Sequence, residues 1–137
     1  MPTSPPLVFI DTNVWFSAFY GFPDSEKIIK AHAEGKIIAV VSRQVLRELV
    51  SNINKKIPKA MAGLKKLMEL APPMVVNNAN FVSSLVEKEV HKKDQIIFQS
   101  AVNSKAKLFV TGNTKHFKKD KITGIKIVTP KEVVGFV

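Results

Sequence analysis

The sequence predicts an α/β fold in which a parallel sheet lies between two layers of helices. Short, nearly continuous apolar runs recur along the 137 residues, and segments with helical apolar spacing separate them. Runs of this kind are typical of strands buried on both faces, which requires covering helices. The runs are residues 7–10, 37–41, 74–76, 108–110 and 125–128, the last with Lys126 interposed. The pattern predicts five short strands in a three-layer sandwich and leaves the strand order open.

Helix signals lie between the runs. Residues 13–20 are expected to form a short helix, and Pro23 begins a second that ends near Gly35. Ser42 is a good N-cap for a third helix from about Arg43. The apolar stripe of that helix is Val45, Leu46, Leu49, Val50 and Ile53. Further helices are predicted at 58–70, 80–90 and 94–104, with a terminal turn at 130–137. The 80–90 segment carries another stripe that core burial explains: Phe81, Val82, Leu85 and Val86.

The size and composition indicate an ordinary globular protein without cysteine chemistry. A length of 137 residues with 45% hydrophobic residues predicts a single domain, residues 1–137. The absence of cysteine excludes disulfides, thiolate metal sites and cysteine nucleophiles, and it fits the cytoplasm as the expected location. No apolar stretch approaches the ~20 residues that cross a bilayer, so no membrane association is expected.

The charge balance indicates a polyanionic partner. Lys and Arg total 21 against 11 Asp and Glu, which gives a net charge of +10. Only Arg43 and Arg47 are arginines, and lysines contact phosphates as point charges more than they recognise bases. The charge therefore favours contact with a nucleic-acid backbone, with a solubilising surface as the alternative.

Asp11 is the strongest candidate for a functional residue. It ends the first apolar run and is followed by Thr12 and Asn13, so its carboxylate lies at the carboxyl end of a predicted strand. Open α/β sheets bind ligands at this edge. Glu48 and Asp94 stand where they could reach the same rim. Three acids on a basic chain lead to the hypothesis of a metal-dependent nuclease.

Asp94 has two interpretations. It shares a predicted helix face with Ile97, Phe98 and Ala101, a face that should press on the sheet and direct a first-turn carboxylate inward. The alternative is that Asp94 only caps the helix, where Asp is favoured.

Glu48 is less clear from the residues alone. It lies about 60° round the helix from Val45, on the flank of the apolar stripe. From that flank it could reach over the sheet edge. Without other information, a solvated position beside Arg43 or Arg47 is favoured.

Three converging acids would suit a hard divalent cation. Mg²⁺ takes oxygen ligands, only a few of them from protein, and keeps water and substrate phosphate for the rest. Such an ion can activate water and neutralise charge on a phosphodiester. Crowded carboxylates repel one another, so without the ion at least one of them should have a raised pKa.

The segment after the fourth strand adds polar groups to the same edge. Thr111 can hydrogen-bond a carboxylate, Asn113 can ligate a metal weakly or hold a water, and Gly112 permits close backbone approach. An ordinary turn leaving a strand is the alternative, and taken singly it is the simpler interpretation.

Together these motifs resemble the PIN domain family, which includes the VapC-like toxin nucleases of toxin–antitoxin pairs. The opening motif matches Ile10-Asp11-Thr12-Asn13-Val14, and the motif after the second strand matches residues 42–49 with Glu48. The third-acid motif matches residues 93–97, and the late strand and turn match 108–113. The order and spacing of these matches extend along nearly the whole chain. The resemblance implies a PIN-like sheet of five parallel strands in the order 3-2-1-4-5.

The resemblance also implies Mg²⁺- or Mn²⁺-dependent hydrolysis of RNA phosphodiester bonds. Asp11, Glu48 and Asp94 would then be the catalytic metal ligands, which reverses the interpretation of Glu48. Asn13 is expected to orient Asp11 or brace the loop, and Thr111 is expected to support the metal ligands without binding metal. A toxin would require an inhibitory antitoxin as partner, and PIN domains often form homodimers.

Asn113 departs from the family pattern, because many relatives have a fourth Asp there. The missing charge should weaken a second metal position, so one or two ions remain open. The alternative function is a catalytically weak or inactive PIN-like module that binds RNA or protein.

Basic residues flank the predicted site, and we expect them to contact RNA phosphates, with a solvated loop as the alternative. They are Lys93, Lys115, His116, Lys118 and Lys119. Trp15 and Phe16 are expected to pack in the core or at an interface instead of stacking on bases.

Overall fold

The computed structural model of the chain describes residues 4–137, so the first three residues of the predicted domain lie outside the described residues. These residues form a six-stranded sheet of order β3-β2-β1-β4-β6-β5. The strands are β1 Leu7–Ile10, β2 Ile38–Ser42, β3 Met74–Val76, β4 Leu108–Val110, β5 Lys121–Ile122 and β6 Ile125–Val128. The five predicted strands are parallel and lie in the predicted order. The short β5 is an addition that pairs antiparallel with β6 at one edge.

Helices cover the sheet on both faces. They are α1 Thr12–Tyr20, α2 Pro23–Ala33, α3 Arg43–Lys56, α4 Met61–Leu70, α5 Ser84–Glu89, α6 Gln95–Asn103 and α7 Pro130–Val134. Short 3-10 turns occur at Pro58–Ala60, Lys92–Asp94 and Thr114–His116. In one group α1 packs against α2 and α3, while in the other α6 packs against β2 and α5. Within residues 4–137, no helix is long and apolar enough to cross a membrane.

The central strands β1 and β4 are buried on both faces, as their continuous apolar runs predict. Phe9 and Phe109 lie opposite each other and stack, with ring centroids 5.5 Å apart. Phe98 of α6 meets Phe109 edge-on at 5.2 Å. Trp15 is fully buried, and its indole N–H donates to the Ile10 carbonyl at 3.0 Å, as expected for a core residue. This packing fixes the ends of both strands, from which the polar residues at the sheet edge emerge.

The helix predicted at 80–90 is shorter than the apolar spacing indicates. It begins after Ser83, whose hydroxyl accepts a hydrogen bond from the Val86 N–H at 3.3 Å and caps α5. Here the cap sets the helix start, although the apolar spacing begins earlier. Phe81 lies before the helix and is 67% exposed, and Leu85 within it is 44% exposed. The predicted burial of the stripe is wrong for these two residues.

Candidate functional site

A cleft opens at the carboxyl ends of β1 and β4. Because the two strands are parallel neighbours in register, Asp11 and Thr111 leave the sheet side by side. The cleft has a volume of about 400 Å³, and Asp11, Glu48 and Asp94 all line it. Three acids from widely separated parts of the sequence therefore share one cleft.

Asp11 lies at the buried end of the cleft, where hydrogen bonds hold both of its carboxylate oxygens. Its Oδ1 accepts from the Thr12 N–H at 2.8 Å and so caps α1. Its Oδ2 accepts from the Thr111 hydroxyl at 2.9 Å, and the Asn13 amide nitrogen lies 3.4 Å away. Only 6% of Asp11 is exposed. The carboxylate therefore has a fixed position and little contact with solvent.

Burial raises the pKa of Asp11 from its ordinary value of 3.8 to about 6. Hydrogen bonds from Thr111 and Thr12 oppose the rise, and the charges of Asp94 and Glu48 add to it. Repulsion among crowded acids is the cause expected from the sequence. The raised pKa is present, but desolvation is its largest cause and repulsion is a smaller one.

Glu48 faces the cleft because of where α3 begins. The Ser42 hydroxyl accepts from the Val45 N–H at 3.3 Å, as expected for the N-cap. On the resulting helix, Glu48 Oε1 accepts from the Thr12 hydroxyl at 2.8 Å. Its Oε2 accepts from the Gln44 side-chain amide at 3.2 Å. The solvated position that the residues alone favour is therefore wrong.

Asp94 is held by a histidine instead of capping the helix that follows it. Its side chain accepts no capping hydrogen bond from the first turn of α6, residues 95–98. Its Oδ2 lies 2.8 Å from Nδ1 of His116, which belongs to the turn after β4. The His116 ring stacks on the His91 ring with centroids 4.9 Å apart, and the His91 N–H donates to the His116 carbonyl at 2.8 Å. The alternative that Asp94 only caps α6 is wrong.

The turn after β4 is braced against the start of α1. Asn13 Oδ1 accepts from the Gly112 N–H at 3.0 Å, so Asn13 contacts both this turn and Asp11. A Cβ on Gly112 would lie 3.4 Å from that same oxygen, an ordinary van der Waals contact, so the expected need for glycine at a close approach is not evident here. Thr111 is fully buried, and its hydroxyl accepts from the Asn113 N–H at 3.1 Å. Asn113 lines the cleft.

The basic residues predicted to contact RNA do not all lie at the cleft. Lys93 lines it, and His116 lies beside it through its contact with the third acid. Lys115 is exposed on the Thr114–His116 turn. Lys118 and Lys119 line a separate depression instead.

Several residues of the cleft are absent from the sequence prediction. Asn52 and Lys56 line it from α3, four and eight residues after Glu48. This spacing is the signal that could have found them, because residues four apart lie on one helix flank. Phe16 also lines the cleft and is half-buried, and the Lys56 ammonium lies 5.5 Å from the centre of its ring. Phe16, which is expected in the core or at an interface, packs partly against the core and partly faces the cleft.

The donors of the cleft are of the type that a hard divalent cation prefers. Three carboxylates and the Asn113 amide present oxygen atoms, with no thiolate to favour a softer metal. In residues 4–137, no group of three His, Cys, Asp or Glu side chains is already arranged to hold an ion. Glu48 and Asp94 are held by neutral or histidine donors instead. To bind one shared ion, Glu48 and Asp94 would have to exchange some of these contacts for the metal.

A larger depression, of about 560 Å³, lies along the opposite flank of α3. Leu46, Val50 and Val75 give it an apolar floor, and Arg43 and Arg47 line its sides. No carboxylate lines this depression, so the smaller cleft is the better candidate for a catalytic site.

Solved structures share this fold at low sequence identity. VapBC2 from Rickettsia felis, bound to a DNA fragment from its promoter, has a TM-score of 0.65 and 17% identity over 90% of this chain and 98% of that chain. DNA-bound VapBC from Salmonella typhimurium has a TM-score of 0.64 and 17% identity over 91% and 98%. A toxin–antitoxin complex from Klebsiella pneumoniae has a TM-score of 0.58 and 20% identity over 90% and 97%.

The sequence comparison agrees with the fold comparison. No curated protein sequence matches the chain. Residues 7–115 match the sequence profile of the PIN domain, a stretch that contains Asp11, Glu48 and Asp94. This match covers well over half of the chain, and the chain belongs to the PIN domain family.

Proposed function

We propose that this protein is a metal-dependent ribonuclease that hydrolyses RNA phosphodiester bonds. One observation carries the proposal: Asp11, Glu48 and Asp94 line the same cleft, where burial and, to a smaller extent, the charges of the other two acids raise the pKa of Asp11. Membership of the PIN domain family supports this reaction class, because members of the family are nucleases.

The three acids would hold Mg²⁺ or Mn²⁺ as the metal ligands, with the Asn113 carbonyl as a weaker donor. A bound ion supplies positive charge to the phosphodiester and makes water more acidic. Thr111 restrains Asp11 through its hydroxyl, and His116 restrains Asp94. Both contacts limit where these two carboxylates can move at the cleft.

The cations of the cleft would attract the substrate backbone. Lys93 and Lys56 line the cleft on either side of the acids, and each can contact a phosphate as a point charge. A chain of net charge +10 also concentrates RNA around the protein before specific contacts form. Lys115, Lys118 and Lys119 would act at longer range, where screening by salt is stronger.

A cleavage assay tests the reaction. Protein purified free of contaminating nuclease should degrade RNA when Mg²⁺ or Mn²⁺ is added and should stop when a chelator is added. Asp11→Asn should lower the rate by more than about 100-fold, since residues that only support a metal ligand already cost about 10–100-fold. The control is Asp120→Asn, an exposed acid outside the cleft. Equal rates for the wild type and Asp11→Asn would remove the proposed mechanism.

The protein would be the toxin of a toxin–antitoxin pair. The similar solved structures are toxin–antitoxin or VapBC complexes, which supports an antitoxin as a protein partner. A homodimer is part of the same proposal. Expression of the wild type without an antitoxin should arrest bacterial growth, and Asp11→Asn should relieve the arrest. Growth arrest by both proteins would separate toxicity from the cleft.

A second function is a non-catalytic PIN-like module that binds RNA or protein. Asn113 favours it, because an amide supplies less charge to the cleft than the Asp found in many relatives. This function predicts salt-dependent RNA binding without turnover stimulated by divalent ions. Saturable Mn²⁺ binding in calorimetry that Asp94→Ala abolishes would argue against it.

A further inference from the structure

A strip of three aromatic side chains, two of them exposed, continues from the acidic cleft. Phe16 lines the cleft itself, and Tyr20 follows one turn later on α1, with ring centroids 6.1 Å apart. The Phe22 ring stacks beside Tyr20 at 5.7 Å. Tyr20 is 62% exposed and Phe22 is 55% exposed. We call Phe16, Tyr20 and Phe22 the aromatic strip.

The backbone at Gly21 brings the strip together. Gly21 ends α1 with a φ of 116°, a conformation that suits glycine and that turns the chain sharply. The N–H groups of Gly21 and Phe22 both donate to the Ser17 carbonyl, at 3.0 and 2.9 Å. The turn therefore returns the Phe22 ring to the side of Tyr20 instead of leaving it to continue the helix direction.

We propose that the aromatic strip is a platform on which unpaired bases of an RNA strand stack while its backbone enters the acidic cleft. This inference rests on the proposed ribonuclease function and adds which surface holds the strand beside the cut site. Exposed aromatic side chains are a common means of holding single-stranded nucleic acid, because every base has a face that can stack.

Two observations favour RNA over a protein partner at the strip. The first is continuity, because Ser17 lines both the acidic cleft and a neighbouring depression that Phe22 also lines. The second is charge, because the Lys56 ammonium lies over Phe16 at one end and Lys131 lines the depression at the other. Asp24 also lines that depression. A strand stacked along the strip would thus have a lysine near its phosphates at both ends.

The test is a binding assay in a chelator, so that cleavage does not interfere. The probe is a short fluorescein-labelled oligoadenylate, offered as a single strand and as a duplex with oligouridylate. Tyr20→Ala and Phe22→Ala should each weaken single-strand binding by about tenfold, the loss of one stacked base. Duplex binding should change little, and Tyr20→Phe should bind like the wild type because the ring is kept.

The matched control is Phe81→Ala. Phe81 is 67% exposed, close to the exposure of Tyr20, and it does not line the cleft. Its removal should leave single-strand affinity unchanged. Wild-type affinity in both strip variants, or an equal loss in Phe81→Ala, would overturn the proposal. A change of oligomeric mass in Tyr20→Ala by sedimentation, with RNA affinity intact, would assign the strip to a protein contact and also overturn it.

The same proteins separate this inference from the ribonuclease proposal. Binding that depends on the strip, without cleavage when Mn²⁺ is added, would contradict the enzyme and support the platform. Cleavage by the wild type together with normal binding by Tyr20→Ala and Phe22→Ala would contradict the platform and support the enzyme.

Discussion

At the scale of single residues, the ionised carboxylate of Asp11 destabilises the folded protein. The pKa of Asp11 is about 6 in the folded protein against an ordinary value of 3.8. Folding therefore takes up a proton between these pH values, and the ionised carboxylate opposes folding increasingly as the pH rises from 3.8 to 6. Above pH 6 the opposition is constant, with a ceiling of about 3 kcal/mol at ~1.4 kcal/mol per pH unit.

Asp11→Asn should therefore stabilise the protein in a chelator. We expect a gain of about 1–3 kcal/mol in the free energy of unfolding at pH 7.5, because the ionised group is removed from a buried position. The gain should shrink toward zero below pH 4, where Asp11 is protonated in both states. Urea unfolding across this pH range measures it. A loss of stability at pH 7.5, or a difference that does not vary with pH, would contradict the assigned burial cost.

Thr111→Val tests the hydrogen bond that restrains Asp11. Valine keeps the shape of the fully buried Thr111 but loses the hydroxyl at 2.9 Å from Asp11 Oδ2. The pKa of Asp11 should rise above 6, because this hydrogen bond lowers it. Stability should fall by about 1–2 kcal/mol, since the Asn113 N–H also loses its acceptor. NMR titration of the Asp11 carboxyl carbon measures the pKa, and Thr111→Ser, which keeps the hydroxyl, should change it little.

At the scale of elements, β5 and its hairpin turn to β6 are the parts of the sheet absent from the sequence-based prediction. Its two-residue turn consists of Thr123 and Gly124, with φ angles of 48° and 80°. A turn with two positive φ angles is the type that joins tightly paired antiparallel strands, and the glycine at its second position is the local signal for it. Lys121 and Ile122 are too short a run to be recognised as a strand by periodicity alone.

Gly124→Ala should destabilise the protein by about 1 kcal/mol, because alanine is strained at this φ. Gly63 offers the opposite case on the same protein. It lies inside α4, where the nearest atom to an added Cβ is 3.8 Å away, so Gly63→Ala should stabilise by about 0.5–1 kcal/mol. Thermal unfolding of the two variants compares them. Two shifts of the same sign would contradict the assigned backbone roles.

Elements with strong burial were predictable, and orientations that depend on single contacts were not. The run from Leu7 to Ile10 has no polar residue because both faces of β1 are covered, so the sequence carries its own signal. The direction of Glu48 depends on the Thr12 hydroxyl across the cleft, which no local pattern encodes. The cap at Ser83 competes with the apolar spacing around it, and local rules do not rank the two.

At the scale of the whole molecule, charge and topology act together. The net charge of +10 favours polyanions approaching from any direction, whereas the sheet brings acids from three parts of the sequence to one edge. The positions of Asp11 and Thr111 follow from parallel pairing of β1 with β4, so the resemblance to the PIN domain family predicts them well. The contact between Lys56 and Phe16 could not be predicted in the same way. It depends on how α3 packs against α1, and the two helices meet only in the folded chain.

Affinity for single-stranded RNA should fall with salt, and the slope should depend on Lys56, one of the two lysines that line the cleft. Each phosphate contact contributes about 0.7 to the slope of log K against log salt on a single strand. Lys56→Gln should lower the slope by about that amount, while Lys36→Gln should leave it unchanged. Lys36 pairs with Glu34 and lines a different depression. RNA titrations at several salt concentrations measure the slopes. Equal effects of the two substitutions would contradict a phosphate contact specific to Lys56.

Three consecutive residues, 11 to 13, form the junction of the site. Asp11 accepts a hydrogen bond from the Thr111 hydroxyl, and the Thr12 hydroxyl donates one to Glu48. Asn13 accepts one from the Gly112 N–H. A single tripeptide therefore connects distant segments of the sequence, and no residue separates its three contacts from one another. Inserting even one residue within this tripeptide should displace these hydrogen bonds together. Lengthening a loop far from the tripeptide should leave them in place.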